Sequence, residues 1–201
     1  MARVLVALFC VVWLMPDVAQ AASPDGRFAA KGAGRTQCKR FVEERENHSE
    51  AYTAYLGWLT GYLTGYNQLK EDTFDIIPWQ STQLLALLLE RYCRENPEEA
   101  FLRAVMRMNL TFEPFRMRDE SKPVKIERDG KTVVVYAEVL RRAQERLNKL
   151  GQLADAPDGA YGPNTAAALI AFQTANNIPV TGLPDVQTLY NLLLAPQAEQ
   201  Q

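Results

Sequence analysis

The sequence predicts a mainly α-helical protein, with an N-terminal four-helix domain linked by a disulfide, a short β-hairpin linker and a C-terminal three-helix bundle. Apolar residues recur at steps of three and four through most of the 201 residues, which is the helical period. One Asp-Gly pair lies between alternating apolar residues, as in a hairpin. Cys38 and Cys93 lie in two different predicted helices, which a bridge would join.

The first 21 residues predict export. Arg3 supplies a basic start, residues 4–15 are an apolar run, and residues 19–21 (Ala-Gln-Ala) offer small side chains for cleavage. The run is shorter than the about 20 residues that a membrane-spanning helix needs. We therefore expect a mature protein without a membrane span, located in the periplasm.

The composition excludes some classes of partner. The formal net charge is −2, so neither nucleic acid nor an anionic membrane is favoured. A hydrophobic content of 47 % is ordinary for a globular protein, and the length allows one domain or two small ones. The predicted parts are a signal peptide (1–21), a flexible segment (22–35), the helical disulfide-linked domain (36–121), a linker with the hairpin (122–136), the three-helix domain (137–195) and a tail (196–201).

Two cysteines remain after the predicted cleavage. Cys38 and Cys93 form an even pair, and in an oxidising compartment such a pair favours a disulfide. In the chain-entropy model a bridge that closes so long a loop stabilises the fold by roughly 4 kcal/mol. The alternative, a reactive thiol, requires an activating base nearby.

Four helices are predicted in the N-terminal domain. The first covers residues 36–46, and the second follows Ser49, a suitable N-cap. The third starts at or just before Pro78 and reaches Cys93. Residues 96–99 (Asn-Pro-Glu-Glu) are typical of a helix start and open the fourth. Its predicted apolar face consists of Phe101, Val105, Met108 and Leu110.

A polar, proline-flanked stretch follows and then the hairpin. Residues 124–135 alternate around Asp129-Gly130. The boundary between the two domains is placed near residue 121, and the hairpin could lean on either side.

The last third contains an internal repetition. Asp158-Gly159 is followed six residues after the glycine by Thr165, and Thr181-Gly182 is followed at the same distance by Thr188. Each copy leads into a helix, and a third apolar-faced helix precedes both and ends at Gly151. These helices predict a three-helix bundle with a small core.

The order and spacing of these motifs resemble the peptidoglycan-binding domain family. The resemblance rests on Leu140 to Gly151, Asp158 to Thr165, Phe172-Gln173 and Val180 to Gly182, and departs at Asn177, where a glycine often stands. It implies a site for the stem peptide of the wall polymer near the turns and helix starts. The candidate contacts are Asp158, Tyr161, Thr165 and Gln173. Alternatively, Asp158 holds a turn, and Thr165 and Thr188 cap helices.

The second helix carries two rows of interest. Gly57, Gly61 and Gly65 recur every four residues, beside a row formed by Trp58, Tyr62 and Tyr66. The glycine row predicts close packing of another helix, with a partner surface as the alternative. The aromatic row is the candidate partner surface. The layout of residues 36–112 is similar to disulfide-linked helical periplasmic proteins, namely acid-stress chaperones and immunity proteins against wall amidases.

The residues present do not assemble a catalytic constellation. His48 is the single histidine, whereas zinc hydrolases and L,D-transpeptidases need more ligands or a His–Cys pair. Glu120-Ser121 resembles the acid–serine pair of lytic transglycosylases but lies in a polar linker. We expect no cofactor, no metal and no enzyme activity. The leading hypothesis is a wall-binding protein that positions a second envelope protein, such as a wall hydrolase or synthase; the alternative is a wall-tethered stress chaperone or immunity factor.

Overall fold

The first two helices of the N-terminal part begin within two residues of their predicted positions, and the next two begin later than predicted. The computed structural model describes Ser23 and residues 27–194, so the predicted signal peptide and tail lie outside the described residues. The four helices are α1 (Cys38–Glu46), α2 (Glu50–Leu69), α3 (Thr82–Glu95) and α4 (Phe101–Phe112). A short 3-10 turn, Gly32–Arg35, precedes α1 in the segment that was expected to be flexible. The mainly helical prediction is confirmed.

Two serines set the starts of α2 and α3. The Ser49 hydroxyl accepts a hydrogen bond from the Tyr52 N–H, as expected. The Ser81 hydroxyl accepts one from the Leu84 N–H, and α3 therefore begins at Thr82 rather than at Pro78. The predicted start was four residues too early because the true N-cap lies after the proline.

Residues 96–99 do not open α4, which is a second correction. The Cys38 N–H donates to the Glu99 carbonyl at 2.8 Å, and the Phe101 N–H donates to the Thr36 carbonyl at 2.8 Å. This segment therefore satisfies the free backbone groups at the start of α1 instead of its own helix.

The apolar face of α4 also differs from the prediction. Leu110, which the sequence places on that face, is 67 % exposed, and Phe112 is buried in its place.

The first hydrophobic core lies among these four helices. Phe41, Tyr55 and Phe101 form its aromatic centre, with ring centroids 4.7 to 5.3 Å apart. The predicted disulfide is confirmed: Cys38 and Cys93 are fully buried and join α1 to α3. The bridge thus fastens two helices that are distant in sequence.

The glycine row of α2 faces solvent. A Cβ atom added at Gly57, Gly61 or Gly65 would meet no other atom within 4 Å. The expectation that another helix packs closely on this row is wrong for the described chain. The core of the N-terminal part instead uses the opposite face, through Tyr55, Leu59 and Leu63.

The predicted hairpin is present. Strands β1 (Pro123–Arg128) and β2 (Lys131–Tyr136) pair antiparallel across the two-residue turn Asp129-Gly130. Both turn residues have positive φ, of 49° and 73°, which is the backbone that an Asp-Gly turn of this kind requires. Ile126 and Val135 are buried, so the hairpin packs on the C-terminal core.

The second core is built by the C-terminal helices. These are α5 (Ala137–Lys149), α6 (Pro163–Ala175) and α7 (Val186–Leu189), which continues into a π-helical turn, Tyr190–Leu194. The largest fully buried side chains of this core are Leu140, Leu147, Leu169 and Phe172, from α5 and α6, and Leu183, from the loop before α7. From Lys31 onward the chain forms one compact unit that contains both cores, and the few described residues before it belong to a separate unit.

Candidate functional site

A single buried glutamine organises the first turn of the internal repetition. The Gln144 side-chain oxygen accepts the N–H groups of Asp158 and Gly159, at 3.0 and 2.8 Å. Its nitrogen donates to Asp158 Oδ1, to the Ala160 carbonyl and to Thr165 Oγ1, at 2.9 to 3.1 Å. The amide of Gln144 thus ties α5 to the turn and to the start of α6.

A second glutamine holds the second turn in the same way. The Gln173 oxygen accepts the N–H groups of Thr181 and Gly182, at 3.0 and 2.8 Å. Its nitrogen donates to Thr181 Oγ1, to the Leu183 carbonyl and to Thr188 Oγ1, at 2.8 to 3.1 Å. The two turns are therefore copies of one arrangement.

Only one of these two glutamines is among the functional residues predicted from sequence. Gln173 was proposed as a wall contact, and Gln144 was not singled out. Each follows a fully buried apolar residue in a helix, Phe172 in one copy and Ala143 in the other. That shared position, read together with the repeated glycines, is the signal that could have identified Gln144.

Two of the four predicted contact residues are buried. Gln173 is 0 % exposed and Thr165 is 4 % exposed, and both are hydrogen-bonded inside the domain. The expected threonine caps are not formed. Gly162 precedes α6 without a side-chain cap, and the Asp185 carboxylate caps α7 by accepting the Thr188 N–H.

The other two predicted residues reach the surface. Asp158 is exposed, and its Oδ1 accepts the N–H of Ala160 at 2.8 Å. This bond, and then the one from Gln144, lowers the pKa of the Asp158 carboxyl. The Tyr161 ring is half-buried, and its hydroxyl donates to the Gly182 carbonyl at 2.7 Å, which links the first turn to the second.

A cleft of about 580 Å³ opens beside the Asp158 turn. One wall is the segment 114–121, and the other is the first part of α5. Its charged lining residues are Arg116, Arg118, Arg141, Arg142, Asp119, Glu120, Glu138 and Asp158. The cleft therefore presents both signs of charge rather than one.

The α5 wall of this cleft carries an ion-pair cluster. Arg141 and Arg142 both donate to the Glu138 carboxylate, at 2.8 and 2.9 Å. Arg141, first, and Arg142 lower the pKa of the Glu138 carboxyl. Arg142 also donates to the carbonyls of Phe115 and Arg116, at 2.6 and 3.1 Å. These bonds fasten the 114–121 segment to α5 and so fix the width of the cleft.

The C-terminal segment has a counterpart among known families. Residues 137–192 match the family described as "Putative peptidoglycan binding domain". The match begins at the first residue of α5, and it contains both glutamine-held turns. It supports peptidoglycan binding and, together with the disulfide, a location in the cell envelope.

The rest of the chain has no such counterpart. No curated protein and no solved structure matches the chain. The similarity of residues 36–112 to periplasmic chaperones and immunity proteins therefore stays a prediction. Asn177, the one departure from the pattern of the peptidoglycan-binding domain, has a φ of 53°, a left-handed conformation that asparagine tolerates.

The aromatic row of α2 packs against the N-terminal core. Trp58 stacks on Tyr62 with ring centroids 5.4 Å apart, and it also contacts Phe101. A Cβ at Gly34 would lie 2.3 Å from the Trp58 ring, so the 3-10 turn covers this side chain. Trp58, Tyr62 and Tyr66 are each half-buried, which leaves part of each ring at the surface.

The residues considered for catalysis lie apart. His48 is exposed between α1 and α2, and Glu120 is exposed in the cleft wall. Ser121 has a structural role, because its hydroxyl accepts the Glu138 N–H at 3.0 Å. Among the described residues no cluster of three or more metal-ligand side chains is found, and no described helix has the length and apolarity to span a membrane.

Proposed function

We propose that this chain is an exported, non-catalytic periplasmic protein that binds peptidoglycan through residues 137–194 and holds its helical domain at the wall, where that domain engages another envelope protein. The observation that carries the proposal is the family match over residues 137–192. It is supported by the geometry of the two turns, since both are fixed by buried amides and can present a preformed surface.

The cleft beside Asp158 suits the peptide part of the wall polymer. A stem peptide carries carboxylates as well as amines, and the cleft offers arginines and carboxylates side by side. Asp158 Oδ1 is engaged in its turn, whereas Oδ2 has no partner among the described residues and is available to an ammonium group. Arg118 is 58 % exposed, and its pairing with the exposed Asp72 is weak enough to be exchanged for a carboxylate of the polymer. Arg141 already binds Glu138 and Glu145, so its role is to shape the cleft.

The four candidate contacts then divide into two roles. Asp158 and Tyr161, at the surface, are proposed to touch the polymer. Thr165 and Gln173, which are buried, are proposed to hold the turns that present them. This division retains the site near the turns and adds the wall formed by residues 114–121.

Titration with a soluble disaccharide-tetrapeptide from the wall tests the site. In the chain without its predicted signal peptide, Asp158→Asn and Arg118→Gln should each weaken binding about tenfold, which corresponds to about 1.4 kcal/mol. Lys125→Gln removes an exposed charge on the hairpin, outside the cleft, and serves as the control. Equal affinities for all four proteins would contradict the proposed site.

Absence of catalysis has a separate test. The proposal rests on the single histidine, His48, and on the exposed position of Glu120. Dye-labelled sacculi incubated with the protein should release no more soluble dye than sacculi incubated with buffer. Protein-dependent release that increases with time would contradict the non-catalytic part of the proposal.

The second candidate function, a wall-tethered stress chaperone or an inhibitor of a wall hydrolase, is favoured by the disulfide-linked helical domain. The two hypotheses share the wall-binding domain and differ in what the helical domain binds. Suppression of aggregation of an acid-denatured client by the full chain would support the chaperone. Inhibition of a purified wall amidase would support the immunity factor.

A further inference from the structure

An apolar groove runs along α3. It consists of two adjoining depressions, of about 620 and 610 Å³, which share Leu88 and Tyr190. The first lies between α3, α4 and Leu194, and the second between α3 and residues 186–191. We call the two together the α3 groove. Its apolar lining includes Leu84, Leu88, Met108, Leu110, Phe115 and Tyr190.

Large apolar side chains are exposed at this groove. Leu110 is 67 %, Leu87 46 % and Phe115 43 % exposed. A single exposed leucine is ordinary, but several around one concave surface are typical of an interaction site. Leu110 has the spacing of a core residue in α4, and yet it points to the groove instead of the core.

The charged side chains that line the groove are all basic. Its lining contains three arginines, Arg45, Arg91 and Arg107, and no acidic residue. Arg91 has no ion-pair partner within the described part of the chain. The other two arginines pair with residues outside the lining, Arg107 with Glu99 at 3.2 Å and Arg45 with Glu90. Arg91 therefore carries the unpaired charge of the groove.

We infer that the α3 groove is a docking site for an amphipathic helix with acidic flanks, contributed by a partner protein. This inference rests on the protein-binding half of the proposed function and names its surface. Leucine-like side chains at steps of three and four would fill the apolar floor, and glutamate or aspartate beside them would meet Arg91.

The shape of the groove favours a helix over a membrane. Along α3 it extends from Gln83 to Tyr92, about 14 Å at the helical rise, which accommodates two turns of a docked helix. Side chains that insert into a bilayer protrude from the protein surface. Leu88 and Tyr190, in contrast, lie within the depressions. The proposed site also differs from the aromatic row of α2 predicted from sequence.

Two synthetic helical peptides of 16 residues test the inference. Both carry leucines at positions i, i+3, i+4 and i+7, and they differ only in having glutamate or lysine on the flanks. Fluorescence polarisation with the full chain lacking its predicted signal peptide should show at least tenfold tighter binding of the glutamate peptide. Leu110→Glu should weaken that binding at least tenfold, and Arg91→Glu should reverse the charge preference.

A matched control is available on α2. Leu69 is 76 % exposed and lies outside the groove, so Leu69→Glu should leave peptide binding unchanged. Circular dichroism of each variant should give the wild-type spectrum, because the substituted side chains are exposed. Equal binding of the two peptides, no binding of either, or loss of binding in Leu69→Glu equal to that in Leu110→Glu would overturn the inference.

Vesicles of phosphatidylglycerol and phosphatidylethanolamine provide the remaining comparison. Flotation of the protein with these vesicles that depends on Leu110 would overturn the helix-docking inference in favour of a membrane. None of these outcomes touches wall binding, which is measured separately on sacculi. Failure of the groove and failure of the wall-binding proposal are therefore distinguishable.

Discussion

Gln144 and Gln173 each form hydrogen bonds with five polar groups, most of them in the turns that they hold. Replacement of either by leucine keeps the size but leaves buried N–H and C=O groups without partners. We expect Gln144→Leu and Gln173→Leu each to lower the free energy of unfolding by about 2 to 4 kcal/mol. Urea denaturation measures this.

The control for these substitutions is Gln187→Leu, at an exposed position of α7. It should change the free energy of unfolding by less than about 0.5 kcal/mol. If the buried and exposed replacements had equal effects, the glutamines would not hold the turns in the way described.

Gly159 combines two constraints that can be separated by experiment. Its φ is +72°, and an added Cβ would lie 2.6 Å from the Ala137 carbonyl oxygen. Gly130 has nearly the same φ, +73°, but open space around it. Gly130→Ala should therefore cost about 1 kcal/mol through backbone strain alone, and Gly159→Ala should cost at least about 1 kcal/mol more. Equal melting temperatures for the two variants would contradict the close approach at Ala137.

The glycine row of α2 lowers the stability of that helix. Gly57, Gly61 and Gly65 are in open space, so alanine introduces no clash at any of them. Each replacement should raise the free energy of unfolding by up to about 1 kcal/mol, because glycine is a poor helix former. Thermal denaturation of the triple alanine variant checks this.

The opposite result is expected at Gly34. A Cβ there would lie 2.3 Å from the Trp58 ring, and Gly34→Ala should destabilise the N-terminal domain. Destabilisation by the triple variant of α2 would mean that the glycine row is covered in solution.

Element boundaries show what the sequence could and could not specify. Local signals sufficed for the Ser49 cap, the Asp129-Gly130 turn and the disulfide pair. They failed at residues 96–99, since this backbone is taken up by the start of α1, more than 55 residues earlier in the chain. They also failed for the glycine row, because spacing on a helix does not reveal which row a partner covers.

The sequence predicted the position of the candidate site but not the role of each of its residues. The repeated Gly–Thr spacing located both turns. The packing of α5 against α6 determines which polar side chains reach the surface. The motif alone does not predict that packing. The cleft wall formed by residues 114–121 was not predicted either, because its contact with α5 passes through Arg142 and two backbone carbonyls.

For the molecule as a whole, several carboxylates make stability dependent on pH. Hydrogen bonds from Arg141 lower the pKa of Glu138, and the Tyr92 hydroxyl lowers the pKa of Glu99. The native state therefore keeps these charges to lower pH than the unfolded chain, in which the pKa of glutamate is about 4.3. Their stabilisation is present above that value and is lost as the pH falls through the native pKa.

Urea midpoints should accordingly be constant from about pH 7 to 5 and fall below about pH 4. Glu138→Gln should make the decline at acid pH shallower. Glu71→Gln changes the net charge equally at an exposed site and should leave the profile unaltered. If the urea midpoints of wild type and Glu138→Gln changed equally with pH, the ion pairs of Glu138 would not contribute to the pH dependence of stability.

Sedimentation with purified sacculi measures wall binding by the C-terminal domain. The chain without its predicted signal peptide and a version that ends at residue 121 are each mixed with sacculi, centrifuged and quantified in pellet and supernatant. We expect the amount of the longer protein in the pellet to rise with its concentration and then saturate. The version without residues 122–201 should stay in the supernatant. Equal sedimentation of the two, or failure of the longer protein to sediment, would contradict wall binding by the C-terminal domain.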